Sequence, residues 1–166
     1  MKPKLKEDNF LENIYQAIAE DRHVDYLKEV LRKYEEYKNE FERNFSEANS
    51  KDDVYRFRAK YLYDKIVWRD IEILGDQTFN DLADRVIFSM DWLNDHMHGF
   101  DLALKHTSKD LLFTGSSVTF FAPGWEDDPH PTYKSDEIYI ADMDYEKQSK
   151  LRMTFDFGDE LVAALA

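Results

Sequence analysis

The chain has 166 residues, with 22 basic side chains against 35 acidic ones and a formal charge of −13; 43% of residues are hydrophobic and 15% aromatic. That is enough apolar material for one packed domain with a small appendage, and 12 Phe, 10 Tyr and 3 Trp exclude a chain disordered throughout. No cysteine is present, which excludes disulfides, thiolate metal sites and a cysteine nucleophile, and fits a reducing, cytoplasmic location.

Charge is unevenly spread. Residues 1–50 carry 9 basic and 12 acidic side chains, and residues 51–166 carry 13 and 23, so the larger part is the acidic one. Such a surface repels phosphate backbones and anionic lipids, which argues against nucleic acid and membrane as partners. The opening lysines have no apolar stretch behind them, and nowhere do about 18 apolar residues run together, so neither a signal peptide nor a spanning helix is expected.

Two helical stretches come first. Phe10, Leu11, Ile14, Tyr15 and Ile18 fall on one helical stripe. After Asp21-Arg22-His23, the residues Val24, Leu27, Leu31, Tyr34, Phe41 and Phe45 repeat near a heptad spacing, with Lys38 at an apolar position. This predicts an N-terminal helical hairpin over 1–50, whose aromatic stripe packs on the rest of the chain or forms a contact between copies. The polar run Ser46 to Asp53 reads as a linker to a second unit at 51–166.

From Val54 the period becomes two. Tyr55, Phe57, Ala59 and Tyr61 alternate with Arg56, Arg58 and Lys60, the pattern of a half-buried strand. A second strand is predicted over 66–73, where Trp68 falls on the opposite parity to Ile71 and Ile73; a bulge or a two-sided environment would account for that. Thr78 and Asp81 have the spacing of a capping box and open a helix burying Phe79, Leu82, Val86 and Met90. A third strand follows, with His96, His98, Phe100, Leu102 and Leu104 on one parity. Residues 118–121, 138–141 and 151–157 give further strand candidates. The segment 123–136, with three prolines and the acid run Glu126-Asp127-Asp128, reads as a surface loop that could attract a basic partner.

Two clusters could carry chemistry. His96 and His98, at i and i+2 on a strand, would present two imidazoles to one divalent metal, zinc or manganese, with Asp95 adding a carboxylate. Asp156 and Asp159, around Gly158 at a strand end, are the catalytic candidates in a metal-dependent hydrolase, one completing the shell and the other orienting a water. The structural alternative is equally concrete. The histidine rings would satisfy buried polar groups, Asp156 would pair across a strand with a cation such as Arg152, and Asp159 would serve the turn. His23, His106 and His130 stand singly and are expected to be exposed. The five glycines are too far apart for any phosphate-binding loop, and Gly115-Ser116-Ser117 lacks the context of a serine nucleophile.

Tyr55-Arg56-Phe57-Arg58-Ala59, Ile66-Val67-Trp68-Arg69-Asp70-Ile71, the helix from Thr78, Asp91-Trp92 with Asp95-His96-Met97-His98-Gly99-Phe100, and Asp156-Phe157-Gly158-Asp159 occur in an order that resembles the plasmid pRiA4b ORF-3-like family over residues 54–159. The resemblance implies an α+β domain, a curved, mixed but mainly antiparallel sheet on one main helix with a β-β-α-β core, found in bacteria, archaea and mobile elements and without an agreed activity. No cofactor is implied. Resolvase labels attached to some relatives transfer no residue here, and the negative charge opposes DNA recombination. Relatives continue after the Asp-Phe-Gly-Asp turn with a tryptophan, a histidine and another strand. Here the apolar, helix-permissive Leu161 to Ala166 follows instead, which either covers the sheet's edge or marks a shortened chain, and an unpaired edge would favour self-association. The function expected on these grounds is an acidic protein-interaction or self-association module, with the metal-dependent hydrolase as the rival.

Overall fold

The structure is a computed structural model; it describes residues 3, 5, 7, 9–108, 115–121, 133–146, 150–155 and 161–165, with backbone alone for 101–108, 115–121, 161–165 and residues 37, 40 and 41. Helices α1 (Phe10–Ala19) and α2 (Val24–Glu42) form the predicted hairpin. α1 ends in a Schellman turn, where Asp21 at φ 56° lets its N–H reach Ile18 O and that of Arg22 reach Ala17 O, satisfying carbonyls a helix end leaves free. Ile14, Val30 and Tyr34 are buried between and beneath the helices, and the Tyr34 hydroxyl donates to Glu7 Oε1, to which Lys38 Nζ also donates at 2.8 Å. Lys38 thus stands at a heptad position because its charge is used there.

The sheet has seven strands: β1 (Val54–Tyr61), β2 (Trp68–Leu74), β3 (His98–Ser108), β4 (Gly115–Phe121), β5 (Tyr133–Lys134), β6 (Leu151–Phe155) and β7 (Leu161–Leu165), in the order β2-β1-β7-β6-β3-β4-β5. Every pairing is antiparallel except β4 with β5. One helix, α3 (Phe79–Ser89), lies on it. Its N-terminus is the capping box read from the sequence, with Asp81 N–H donating to Thr78 Oγ1 and Thr78 N–H to Asp81 Oδ2. Phe79, Leu82, Ala83, Val86 and Ile87 pack on Phe57, Ala59, Ile71, Ile73, Phe100, Leu151, Met153 and Phe155 of the sheet. Each large side chain so buried contributes about 2 kcal/mol of transfer free energy.

Several expectations are corrected. β1 and β2 pair without a bulge from Val54↔Leu74 to Lys60↔Trp68; Trp68 breaks parity because it lies on the solvent face, 46% exposed under the Arg58 guanidinium at 4.6 Å. The register shift falls in β3 against β4, between Ala103 and Ser108. Residues 138–141 are not a strand: Tyr139 makes one bridge to Thr78 and the chain then enters a 3-10 turn, Ile140–Asp142. The helix-permissive tail is β7, inserted between β1 and β6 with Leu161, Ala163 and Leu165 in register with Phe155, Met153 and Leu151. Pairing on both sides outweighs the weak helix preference of Ala and Leu.

The segment read as a linker is sewn to the sheet unit. Ser46 N–H donates to Asp142 O at 2.7 Å, and the Asn49 amide to Met143 O at 2.6 Å and Ala141 O at 3.1 Å. Phe45 belongs to the central core and meets Tyr133 edge-on at 5.7 Å. Gly75 closes the same seam: a Cβ there would stand 2.6 Å from Ser50 O and 2.9 Å from the Tyr55 ring.

Candidate functional site

α3 ends in a second Schellman turn, with Asp91 at φ 60°, Asp91 N–H bonded to Phe88 O and Trp92 N–H to Ile87 O. This turn throws Trp92 back onto the sheet, where it stacks on Phe155 at 6.0 Å and 6° and receives the edge of Tyr61 at 5.6 Å. Asn94 then donates to Asp84 Oδ1 and ties the loop to the helix. The two histidines follow, and they part company. β3 begins at His98, so His96 precedes the strand, and the two rings differ in burial. His96 is 50% exposed, its ring edge-on to Phe155 at 6.1 Å and its Nε2 3.6 Å from Asp95 Oδ1.

His98 is 5% exposed and stands opposite Phe155 in the β3–β6 register. Its ring meets Phe100 edge-on at 5.7 Å, and Nε2 is 2.9 Å from Ser135 Oγ. Burial pushes the imidazole from 6.5 down to about 4, so the ring is neutral at pH 7. Ser135 has no exposed surface, and its carbonyl accepts from Asn80 N–H at 3.0 Å, as Ile138 O accepts from Phe79 N–H at 3.0 Å. Free donors of the first turn of α3 are therefore met by the segment that also holds His98. The 2.9 Å approach is that of a nucleophile and its base, but a substrate reaches neither group, and a ring with a pKa near 4 is a weak base. The pair pins β3 to the start of α3.

Asp142, also buried, accepts from Tyr139 N–H at 2.8 Å, and burial raises its carboxyl above the usual range. Among the described residues no three His, Asp or Glu side chains are placed to hold a metal ion. Asp156, Asp159 and the acid run Glu126-Asp127-Asp128 lie outside the described residues, as does His130; His23 is exposed, as expected.

What the sequence reading missed lies at the same end of the molecule. The β1–β2 connection and the C-terminal turn of α3 meet there: Arg69 Nε donates to Ser89 O at 2.9 Å, Tyr61 touches Trp92, and Tyr63 touches Tyr61 at 5.7 Å. Around this junction Phe88 and Ile66 are 87% exposed, Leu93 is 78% exposed, and Leu62 and Tyr63 are exposed as well. The signal for Phe88 was present: once Val86 and Ile87 face the sheet, position 88 turns away from it.

The fold and this site define an α+β sheet domain built on one capped helix, with a buried histidine–serine pair inside and an uncovered aromatic end outside. The family model described as plasmid pRiA4b ORF-3-like protein matches residues 54–164, and the chain belongs to that family. The helical hairpin lies outside the matched span. A crystal structure of a protein of unknown function from Methanosarcina mazei Go1 is similar, with 26% identity and a TM-score of 0.54 over 68% of this chain; the chain spans 57% of that protein's length. No curated protein matches. Among the described residues no helix is long and apolar enough to cross a membrane.

Proposed function

We propose that this chain is a non-catalytic protein-interaction module that engages its partner through the apolar end formed by the β1–β2 connection and the C-terminal turn of α3. The observation that carries the reading is the exposure of Phe88 and Leu93 on one of these segments and of Leu62, Tyr63 and Ile66 on the other. Single exposed apolar residues are ordinary, whereas five large ones on two segments that touch through Arg69–Ser89 and Tyr61–Trp92 leave apolar area in water that a partner would cover. The interior supports the same reading, because His98 and Ser135 satisfy one another and neither faces solvent. A photo-crosslinking amino acid at position 88 tests it. A discrete protein adduct from position 88 in a cell extract, absent when the probe sits at position 56 on the solvent face of the sheet, is the expected result. No adduct from position 88, or the same adducts from both positions, would refute the reading.

A further inference from the structure

β2 ends the sheet and pairs with β1 alone. Tyr61 N–H donates to Val67 O at 3.0 Å and Gly75 N–H to Asp53 O at 2.9 Å, which marks the odd positions from 67 to 75 as those bonded to β1. The even positions, Trp68, Asp70, Glu72 and Leu74, therefore turn their N–H and C=O groups outward. Both ends of this outer edge are already capped. Trp68 O accepts from Arg69 Nη1 at 2.8 Å, while Leu74 N–H donates to Gln77 Oε1 at 3.2 Å and Leu74 O accepts from Gln77 N–H at 3.1 Å. Among the described residues no strand lies beyond β2, so the N–H and C=O groups of Asp70 and Glu72 stay open between the two caps. Open backbone groups on an edge are a template for one more strand.

The strand that fits is β2 itself, because its sequence is self-complementary about Ile71. Laid antiparallel to a second copy with the two Ile71 residues on the axis, it sets Asp70 against Glu72 and Trp68 against Leu74 on each side of that axis. All four open groups of each copy are then bonded, and Trp68 and Leu74, 46% and 43% exposed on the solvent face, cover one another. Each facing carboxylate keeps a guanidinium behind it, since Arg58 bonds Asp70 at 2.8 and 2.9 Å and Arg56 bonds Glu72 at 2.5 Å. Moving the axis to position 70 or 72 sets Asp70 on Asp70 or Glu72 on Glu72 and turns an open pair toward a capped one. From this we infer that the protein forms a two-fold dimer by antiparallel pairing of β2 with β2 of a second copy in the Ile71 register, joining two seven-stranded sheets into one. This edge is distinct from the apolar end proposed above for a partner protein, and neither reading depends on the other. The formal charge of −13 on each copy opposes approach, so the dimer is weak and its population follows concentration.

The test is sedimentation of the full chain from about 1 µM to about 1 mM, in which monomer gives way to dimer. Glu72→Pro removes one outward N–H and leaves the β1 ladder intact, a place on an edge strand where proline is tolerated. Leu74→Glu and Trp68→Lys alter exposed side chains alone. Each of the three weakens the dimer about tenfold or more, with the circular dichroism of the folded chain unchanged. Mixing Leu74→Glu with Trp68→Lys restores association, because the Ile71 register sets position 74 of one copy against position 68 of the other. A monomer across the whole range overturns the inference, and so does a dimer that Glu72→Pro leaves intact or that Phe88→Ser abolishes. Single variants that dissociate but do not associate when mixed overturn it as well, since the register then differs from the one inferred.

Discussion

Titrating His98 should unpick the fold from inside. In the folded protein its pKa is about 4, against 6.5 for the exposed ring, so between those values the unfolded chain binds the proton more readily than the folded one. Stability from this group is therefore fully present above pH 6.5 and is lost as the pH falls toward 4. At about 1.4 kcal/mol per decade, the whole window is worth about 3 kcal/mol, of which about 2 kcal/mol is gone at pH 5. With the ring only 5% exposed, solvent screening removes little of it. Other groups titrate in the same range with mixed sign. Asp142, its carboxyl raised by burial, favours the folded state as pH falls, and Asp70, held low by its bonds to Arg58, does the reverse. Comparison with His98→Gln cancels them, because that variant keeps a polar side chain beside Ser135 and removes the titration, along with the ring's packing on Phe100. Urea unfolding at pH 7.5 and pH 5 measures the difference. Between pH 7.5 and pH 5 the stability of the variant relative to the natural chain shifts by about 2 kcal/mol in the variant's favour. A gap that stays constant within about 0.5 kcal/mol would refute the account of His98 as a buried neutral ring.

Three further outcomes are expected. Gly75→Ala forces the seam of Ser50, Lys51 and Tyr55 to move and costs about 1–3 kcal/mol in urea unfolding; an unchanged midpoint would mean the seam yields freely. Asp91→Val puts a β-branched residue at φ 60° and costs about 1–2 kcal/mol, whereas Asp91→Gly leaves stability level or slightly improved, and the two curves together separate backbone strain from charge. Zinc or manganese leaves the melting temperature of the full chain unchanged, and a rise of several degrees that His98→Gln or Asp95→Asn abolishes would restore the metal-dependent hydrolase.

The parts of this fold legible in the sequence are those whose cause is local. β1 announced itself by strict alternation and α3 by the Thr78–Asp81 capping box, and both lie where they were read. β7 was not legible, because Leu-Val-Ala-Ala-Leu favours a helix locally and becomes a strand through register with Ala59 and Leu151, residues far or separate from it in the chain. Residues 138–141 erred the other way: their apolar residues fill the seam beneath α3 in place of a strand's face. For the site, the cluster around His96 and His98 was visible, but its division was not. The strand starts only at His98, and the partner of His98 is Ser135, 37 positions away in a stretch read as the margin of a loop.

The distribution of satisfied groups also argues where specificity resides. On the solvent face of the sheet, Arg56 pairs with Glu72 and Arg58 with Asp70 across register, so these exposed charges answer one another and, screened by solvent, add little. Inside, His98 is matched by Ser135, Asp142 by the Tyr139 amide and Tyr145 by Ile140 O, leaving these groups occupied in holding elements together. At the end that carries Tyr63, Ile66, Phe88 and Leu93, the case is different, since no element of the described chain covers these side chains. Burying even one of them on a partner yields about 2 kcal/mol. If the proposed docking reading holds, recognition belongs to this end, with the turn at Asp91 aiming Trp92 onto Phe155 and His98 standing opposite Phe155 in the neighbouring strand.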